Sequence, residues 1–416
     1  MRIAVVACVV PNPDSGGGAI TVWSVTRHLI EVGHEVAVVA VHDPVYDDAA
    51  GRSLEQRLDQ VRGLGAEVHP VVSRARTAPV RRISARSWRP RDEELIPNLL
   101  DAPAVAEIVA DLRPDAVFAY SWDAIAATRG LRAPRFVVAV DLAHLPELYR
   151  FRRDPKQLDR ATIGRALLLQ ALLRRLPRLQ VELMNEADAS ADFAAHHAEW
   201  LRRHGATRCL YLRTPVQDRP GPGWRERRRA ARHDRPRILL IGHLRGTSTQ
   251  DGLDVFAKRI LPRLERELGS DGFEVRIAGG FDPPPDLRRP LDRPSVRLLG
   301  HLPEPDEELA SADALLVPNT VPMGARVRIV TGLSYGCPLV VHPANVLGIA
   351  ELEHRKNALI GSNADELAGL TIELLRNHDL AGRLEEEGRA TYERFFALPV
   401  AGKAVEDVLT RIASQA

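Results

Sequence analysis

The segment spanning residues 314–360, ALLVPNTVPMGARVRIVTGLSYGCPLVVHPANVLGIAELEHRKNALI, leaves a chain few architectures to choose from. Residues 314–317 are uninterrupted apolar, the pattern of a parallel strand buried on both faces. A polar turn covers 318–324. Residues 327–334 then read as a helix, with Gly336 placed to end it in a left-handed conformation. Residues 338–341 begin a second buried strand. Strand, helix and strand in that order make a βαβ unit. Ligands of an open parallel sheet sit at the carboxyl ends of such strands. Arg326 and Arg328 stand at the start of the helix. A cation there opposes the positive end of the helix dipole unless an anion joins it. Unpaired backbone N–H groups, Gly324 and two guanidinium forks would together cradle a diphosphate. Two solvated arginines are the bland alternative.

The same grammar opens the chain. Residues 2–10 read as an apolar strand, 11–18 (PNPDSGGG) as a loop, 19–31 as a helix closed by Gly33, and 36–41 as the next strand. This is half of a doubly wound domain. The loop has neither GxGxxG nor Walker A spacing, so neither a dinucleotide nor a nucleoside-triphosphate site is read from it. Three successive glycines would let a ligand approach the backbone closely, although a plain surface loop has the same composition. Expected strands at 116–120 and 136–140 end in Tyr120-Ser121-Trp122-Asp123 and Asp141-Leu142-Ala143-His144. Polar groups after consecutive strands converge on one sheet edge, so Asp141 and His144 are the first-half candidates. A lone histidine is more often structural.

Residues 74–91 carry seven arginines around Trp88. They read as a loop or helix on the open face near a second substrate, or as a solvated face. Residues 149–178 read as an amphipathic helix covering the domain core. Asp188 reads as a cap or loop residue, 192–204 as a helix, and 208–212 as a strand. Residues 215–237, rich in Pro, Gly and Arg, read as a solvated linker. Strands restart near 238, 274 and 296, with a turn region at 242–252, a helix at 253–267 and a loop at 345–349.

A length of 416 residues suits two domains. A net charge of +2 and a pI near 8.5 do not suggest a nucleic-acid binder. Three widely separated cysteines imply neither a disulfide framework nor a zinc site, and fit a reducing compartment. No signal peptide or bilayer-length segment is read, so the expected location is cytoplasmic. The arginine-rich helix and linker leave open a peripheral contact with the inner face of the plasma membrane.

In order and separation, four segments resemble the retaining nucleotide-sugar glycosyltransferases of the large GT-B family 4. They are GGGAITVWSVTRHLIEVGHEVAVV, LYLRTPVQD, GHLRGTSTQDGLDVFAKRILPRL and GARVRIVTGLSYGCPLVV. The resemblance implies an α/β fold of two Rossmann-like doubly wound domains facing across a cleft. Residues 1–216 would bind the acceptor, 217–236 would link, 237–395 would bind the donor, and 396–416 would cross back. It implies transfer of a sugar from a nucleotide-diphosphate donor to a saccharide, glycolipid or small-molecule acceptor, with no metal, cofactor or nucleic acid. Gly17 and Gly18 would lie near the donor phosphates, with Gly242 and Arg245 in the first loop of the second domain. His301 and Leu302 would meet the nucleobase, Arg326 and Arg328 the diphosphate, and Thr331 the ribose. Leu347, Gly348 and Ile349 would approach the transferred sugar. Arg328 would act on the leaving group, while Asp141 and His144 would orient the acceptor. The chain departs from the family at Met323 and Thr331, where two glutamates are usual. It also departs at His243 and Asp251, where a basic pair is usual. Asp251 would repel a diphosphate, with Arg245 as the substitute cation. These departures keep two rivals open: a non-catalytic sugar-nucleotide-binding partner subunit, and a GT-B sugar-nucleotide epimerase.

Overall fold

Apolar runs without alternation become strands covered on both faces. In β1 (Arg2–Ala7), Ile3 and Val5 pack against Val22, Val25 and Leu29 of the Gly17–Glu31 helix. Ala4 and Val6 face the other way, toward Val105 and Val109 of the Ala102–Leu112 helix and Leu179 and Leu183 of the Ile163–Asn185 helix. The computed structural model that gives these contacts describes residues 1–14, 16–43, 50–74, 92–146, 148–149 and 163–416. The arginine-rich stretch after Arg74 and the start of the helix expected from 149 lie outside the described residues.

The first sheet adds β2 (Glu35–His42), β3 (Glu67–Val72), β4 (Ala116–Tyr120), β5 (Arg135–Val138), β6 (Ala189–Asp192) and β7 (Leu210–Tyr211), in the order β3-β2-β1-β4-β5-β6-β7. The second contains β8 (Arg237–Ile241), β9 (Glu274–Ala278), β10 (Val296–Gly300), β11 (Ala314–Val317), β12 (Leu339–Val341) and β13 (Leu359–Ile360), in the order β10-β9-β8-β11-β12-β13. Every pairing between these strands is parallel. Strand order reverses between β1 and β4 and again between β8 and β11. Each reversal opens a crevice at the carboxyl edge of its sheet.

Several expected elements shift. The first helix begins at Gly17, so Gly17 and Gly18 belong to its first turn rather than to a loop. The expected turn at 242–252 is helical from Thr247, running through a π-turn at Phe256–Ile260 to Leu268. Gly252 is what allows this, because a Cβ there would stand 2.9 Å from Asn319 Oδ1. Asp192 ends a strand, Ala189–Asp192, and the helix expected from 192 begins at Ala195. Asp188 accepts the Arg135 N–H at 2.8 Å and so joins β5 to β6.

The expected solvated linker is also wrong. It contains the Trp224–Ala230 helix, whose Trp224 and Arg228 are buried. Arg228 donates to the carbonyls of Leu309, Ala310 and Ala312 and to Glu385 at 2.7 Å. A Cβ on Gly336 would strike Trp224 at 2.5 Å.

The chain passes between the domains twice. The Leu398–Ala413 helix packs Val405, Val408, Leu409 and Ile412 into the same core as β1. The two passes lie side by side, since Val216 N–H donates to Phe396 O at 3.1 Å and Tyr392 OH donates to Val216 O at 2.8 Å. No helix among the described residues is long and apolar enough to cross a membrane.

Candidate active site

The two crevices face each other across a cleft of about 710 Å³. Arg326 is the N-cap of the Val327–Ser334 helix, and its guanidinium is fixed from below. Its Nε donates to Asn345 Oδ1 at 3.0 Å and its Nη2 to Val321 O at 2.7 Å. Asn345 is itself held, donating to the carbonyls of Val317 and Asn319 at 3.1 and 3.0 Å. Arg328 Nη2 donates to Thr249 Oγ1 at 2.9 Å, and the fork lies against Gly242. A Cβ at Gly242 would be 2.5 Å from its Cζ. Among the described residues neither arginine has an ion pair. Burial lowers both from the usual arginine range. Arg328 falls to about 9, with Arg326 adding to the effect. Holding two neighbouring half-buried cations is costly even though Asp141 and Asp251 partly offset Arg326, and an anion between them would relieve it.

Gly242, Arg326, Arg328, His301, Leu302 and Thr331 are brought together along this cleft. Thr331 follows Arg328 by three residues and so shares its helix face. His301 Nε2 is buried without a hydrogen-bond partner. Arg245 does not line the cleft: it is exposed and stacks on Phe281 at 4.5 Å. His243 lines it instead, lowered by burial and by Arg245 and Arg328. Asp251 is not aimed at the cleft either. Its carboxylate accepts Thr320 N–H at 2.6 Å and Thr320 Oγ1 at 3.0 Å. Capping that turn occupies its oxygens, while its charge still acts on Arg326.

The first domain meets these groups with Gly17, where a Cβ would lie 3.1 Å from Val327. Gly18 backs onto Tyr120 and is not among the cleft-lining residues. The preceding loop is anchored by Asp14, which Arg52 grips with both Nη atoms at 2.8 and 3.0 Å.

Asp141 and His144, expected together, are separated. Val140 has φ 70°, and Asp141 N–H donates to Ala139 O at 2.8 Å, a tight γ-turn that costs backbone strain. The turn carries Asp141 to the seam between domains, where Oδ1 would be 3.1 Å from a Cβ on Gly324. That Oδ1 has no hydrogen-bond partner. Burial raises the carboxyl to about 6, opposed by Arg326. His144 instead packs against Trp200 at 5.5 Å, outside the cleft lining. Burial, then His204, lowers it.

Leu347, Gly348 and Ile349 also lie at the seam rather than along the open cleft. The Ala195–Arg203 helix gives its first amides across it: Ala195 N–H to Gly348 O at 3.3 Å and His196 N–H to Leu347 O at 3.1 Å. Gly348 is pressed on Gly324, whose O would be 2.3 Å from a Cβ. The open cleft therefore runs outward from the arginines toward His301, while the side toward Asp141 is clasped shut.

Residues absent from the sequence reading complete the seam. Asp192 is fully buried, accepts Ala194 N–H through Oδ1 at 2.7 Å and leaves Oδ2 unpartnered. Burial lifts it well above the usual carboxylate range. His197 is pushed down to about 3 by burial, then by His196; neither ring nitrogen makes a hydrogen bond, and Nδ1 stands 3.9 Å from Asp192 Oδ1. The apolar-polar alternation ASAD is the signal that could have placed Asp192 at a strand end. Among the described residues no group of three or more His, Cys, Asp or Glu could hold a metal ion.

Residues 235–377 match the family described as Glycosyl transferases group 1. No protein of curated function matches the chain in sequence. Among solved structures, a glycosyltransferase from Rickettsia africae is similar at 13% identity and TM-score 0.66, covering 100% of this chain and 99% of that one. Sucrose-phosphate synthase from Thermosynechococcus elongatus is similar at 14% and 0.70, covering 100% of both. HepE from Anabaena, solved in complex with UDP and glucose, is similar at 14% and 0.67, covering 98% and 99%. With its two parallel sheets, the chain has the GT-B fold.

Proposed function

We propose that this GT-B chain, matched across its second domain by group 1 glycosyl transferases, moves a sugar from a nucleoside-diphosphate donor to an acceptor hydroxyl with retention of anomeric configuration. The observation that carries the reading is the pair of half-buried guanidinium groups, without ion pairs among the described residues, beside Gly242 at the switch point of the second sheet. As the bond between the anomeric carbon and the β-phosphate oxygen breaks, negative charge gathers on the diphosphate. Arg326 and Arg328 are already partly desolvated and are oriented by Asn345, Val321 and Thr249, so they stabilise that charge with little reorganisation. The anomeric carbon bonds to the acceptor oxygen on the same face, and the acceptor proton passes to the departing phosphate. Asp141, shut in the seam beside Arg326 and outside the open cleft, meets an acceptor hydroxyl only where the domains part. Residues 1–216 serve as the acceptor domain and 237–395 as the donor domain. The product belongs to polysaccharide, glycolipid or natural-product glycoside synthesis.

Arg328→Ala tests this. Donor turnover should fall about 100- to 1,000-fold, the usual effect of removing one preorganised donor to a developing anion. Near-parental turnover removes Arg328 from the phosphate site. Thr331 favours a second reading, a sugar-nucleotide-binding subunit without turnover, because a short hydroxyl holds ribose less firmly than a glutamate would. Donor binding with no transfer to any acceptor across a nucleotide-sugar panel selects that reading.

A further inference from the structure

Among the described residues six charged side chains line the cleft: Asp14, Arg27, Arg219, Glu304, Arg326 and Arg328. Three are already neutralised. Arg52 holds Asp14 at 2.8 Å, Glu31 holds Arg27 at 2.6 Å and Asp306 holds Arg219 at 2.7 Å. Asp306 also accepts the Tyr335 hydroxyl, which leaves Arg219 no reason to turn elsewhere. Two of the remaining three are the arginines at the phosphate end. The last is Glu304, which has no ion pair among the described residues. Among the described residues the cleft thus carries cations without ion pairs at one end and the exposed, ion-pair-free carboxylate of Glu304 at the other.

Strand order sets the separation. Arg328 lies over Gly242, just past the end of β8, while Glu304 follows the end of β10. The two strands are separated only by β9, so their ends stand about 10 Å apart. That is the reach of a nucleoside from its phosphate to its base. A carboxylate at the base end accepts and cannot donate. Uracil presents to it a single N–H between two carbonyl oxygens, which it repels. Adenine and cytosine present an amino group beside an unprotonated ring nitrogen. Guanine presents a ring N–H beside its exocyclic amino group, two parallel donors that match the two oxygens of a carboxylate. His301 lines the same end of the cleft.

We propose that Glu304 sets nucleobase choice and that the donor of this chain carries guanine. The proposal rests on the nucleotide-sugar reading above and narrows it to one base. Calorimetric titration of the full chain with GDP, ADP, CDP and UDP tests it. GDP should bind at least tenfold tighter than UDP, with ADP and CDP between them. Glu304→Gln should shrink the GDP-to-UDP ratio to under threefold, whereas Arg328→Ala should weaken all four together and keep the ratio. Equal affinities, a preference for UDP, or a ratio untouched by E304Q overturns the base assignment while leaving the diphosphate site standing. Failure of all four diphosphates to bind overturns the nucleotide-sugar reading, and the base assignment with it.

Discussion

Asp141 determines how the molecule responds to pH at the scale of one residue. Its carboxyl is raised to about 6 in the fold, from an ordinary value of 3.8. A group shifted upward contributes fully when protonated and loses that contribution as pH climbs through the folded value. Asp141→Asn should therefore stabilise the chain by up to roughly 3 kcal/mol above about pH 6, and make little difference near pH 3.5. Urea denaturation of both proteins at the two pH values measures this. If Asp141 orients the acceptor, the same variant also raises the acceptor KM. Gly242→Ala offers a second test, since its methyl must push the Arg328 fork aside. The fork is the far end of a flexible side chain and can give way, but the φ of 155° at Gly242 strains any residue with a Cβ, so the denaturation midpoint should fall and the donor KM should rise about tenfold, about 1.4 kcal/mol. Arg326 and Arg328 were legible as a site because a cation at a helix start is locally inconsistent. Asp192 and His197 were not, because nothing in ASAD or AHHAEW says which side chains end up without water. Arg245 was misplaced for the same reason: sequence spacing does not reveal Phe281, on which it stacks.

At the scale of an element, the instructive case is the Trp224–Ala230 helix. Its composition, three arginines in a row after a Pro-Gly stretch, is that of a solvated connector, and Arg227 and Arg229 are indeed exposed. The middle one, Arg228, is turned inward to three carbonyls and Glu385. Arg228→Ala should cost about 3–5 kcal/mol, because it strands Glu385 and those carbonyls together. A lowered denaturation midpoint, with the circular dichroism of the native state preserved, is the expected reading. Periodicity found the buried parallel strands, which announce themselves as unbroken apolar runs. It missed β6 and β13, which are four and two residues long and owe their pairing to neighbours far away in sequence.

At the scale of the whole molecule, the clasp over the seam is made largely of backbone. Ala195→Pro isolates it. Proline is tolerated in the first turn of a helix, and Ala194 is already extended (φ −108°, ψ 123°), as a residue before proline must be. The change deletes the amide that reaches Gly348 and leaves the helix intact. The two domains should then part more readily, seen as a larger radius of gyration by X-ray scattering and faster exchange of the His196 amide.

The paired crossings at Val216 and Phe396 govern what kind of parting that can be. Two pins set in one line let a door swing but not slide, so opening should be a rotation that widens the far rim and barely moves the residues at the hinge. A protease nick at either pin alone should leave the halves travelling together on a gel without denaturant.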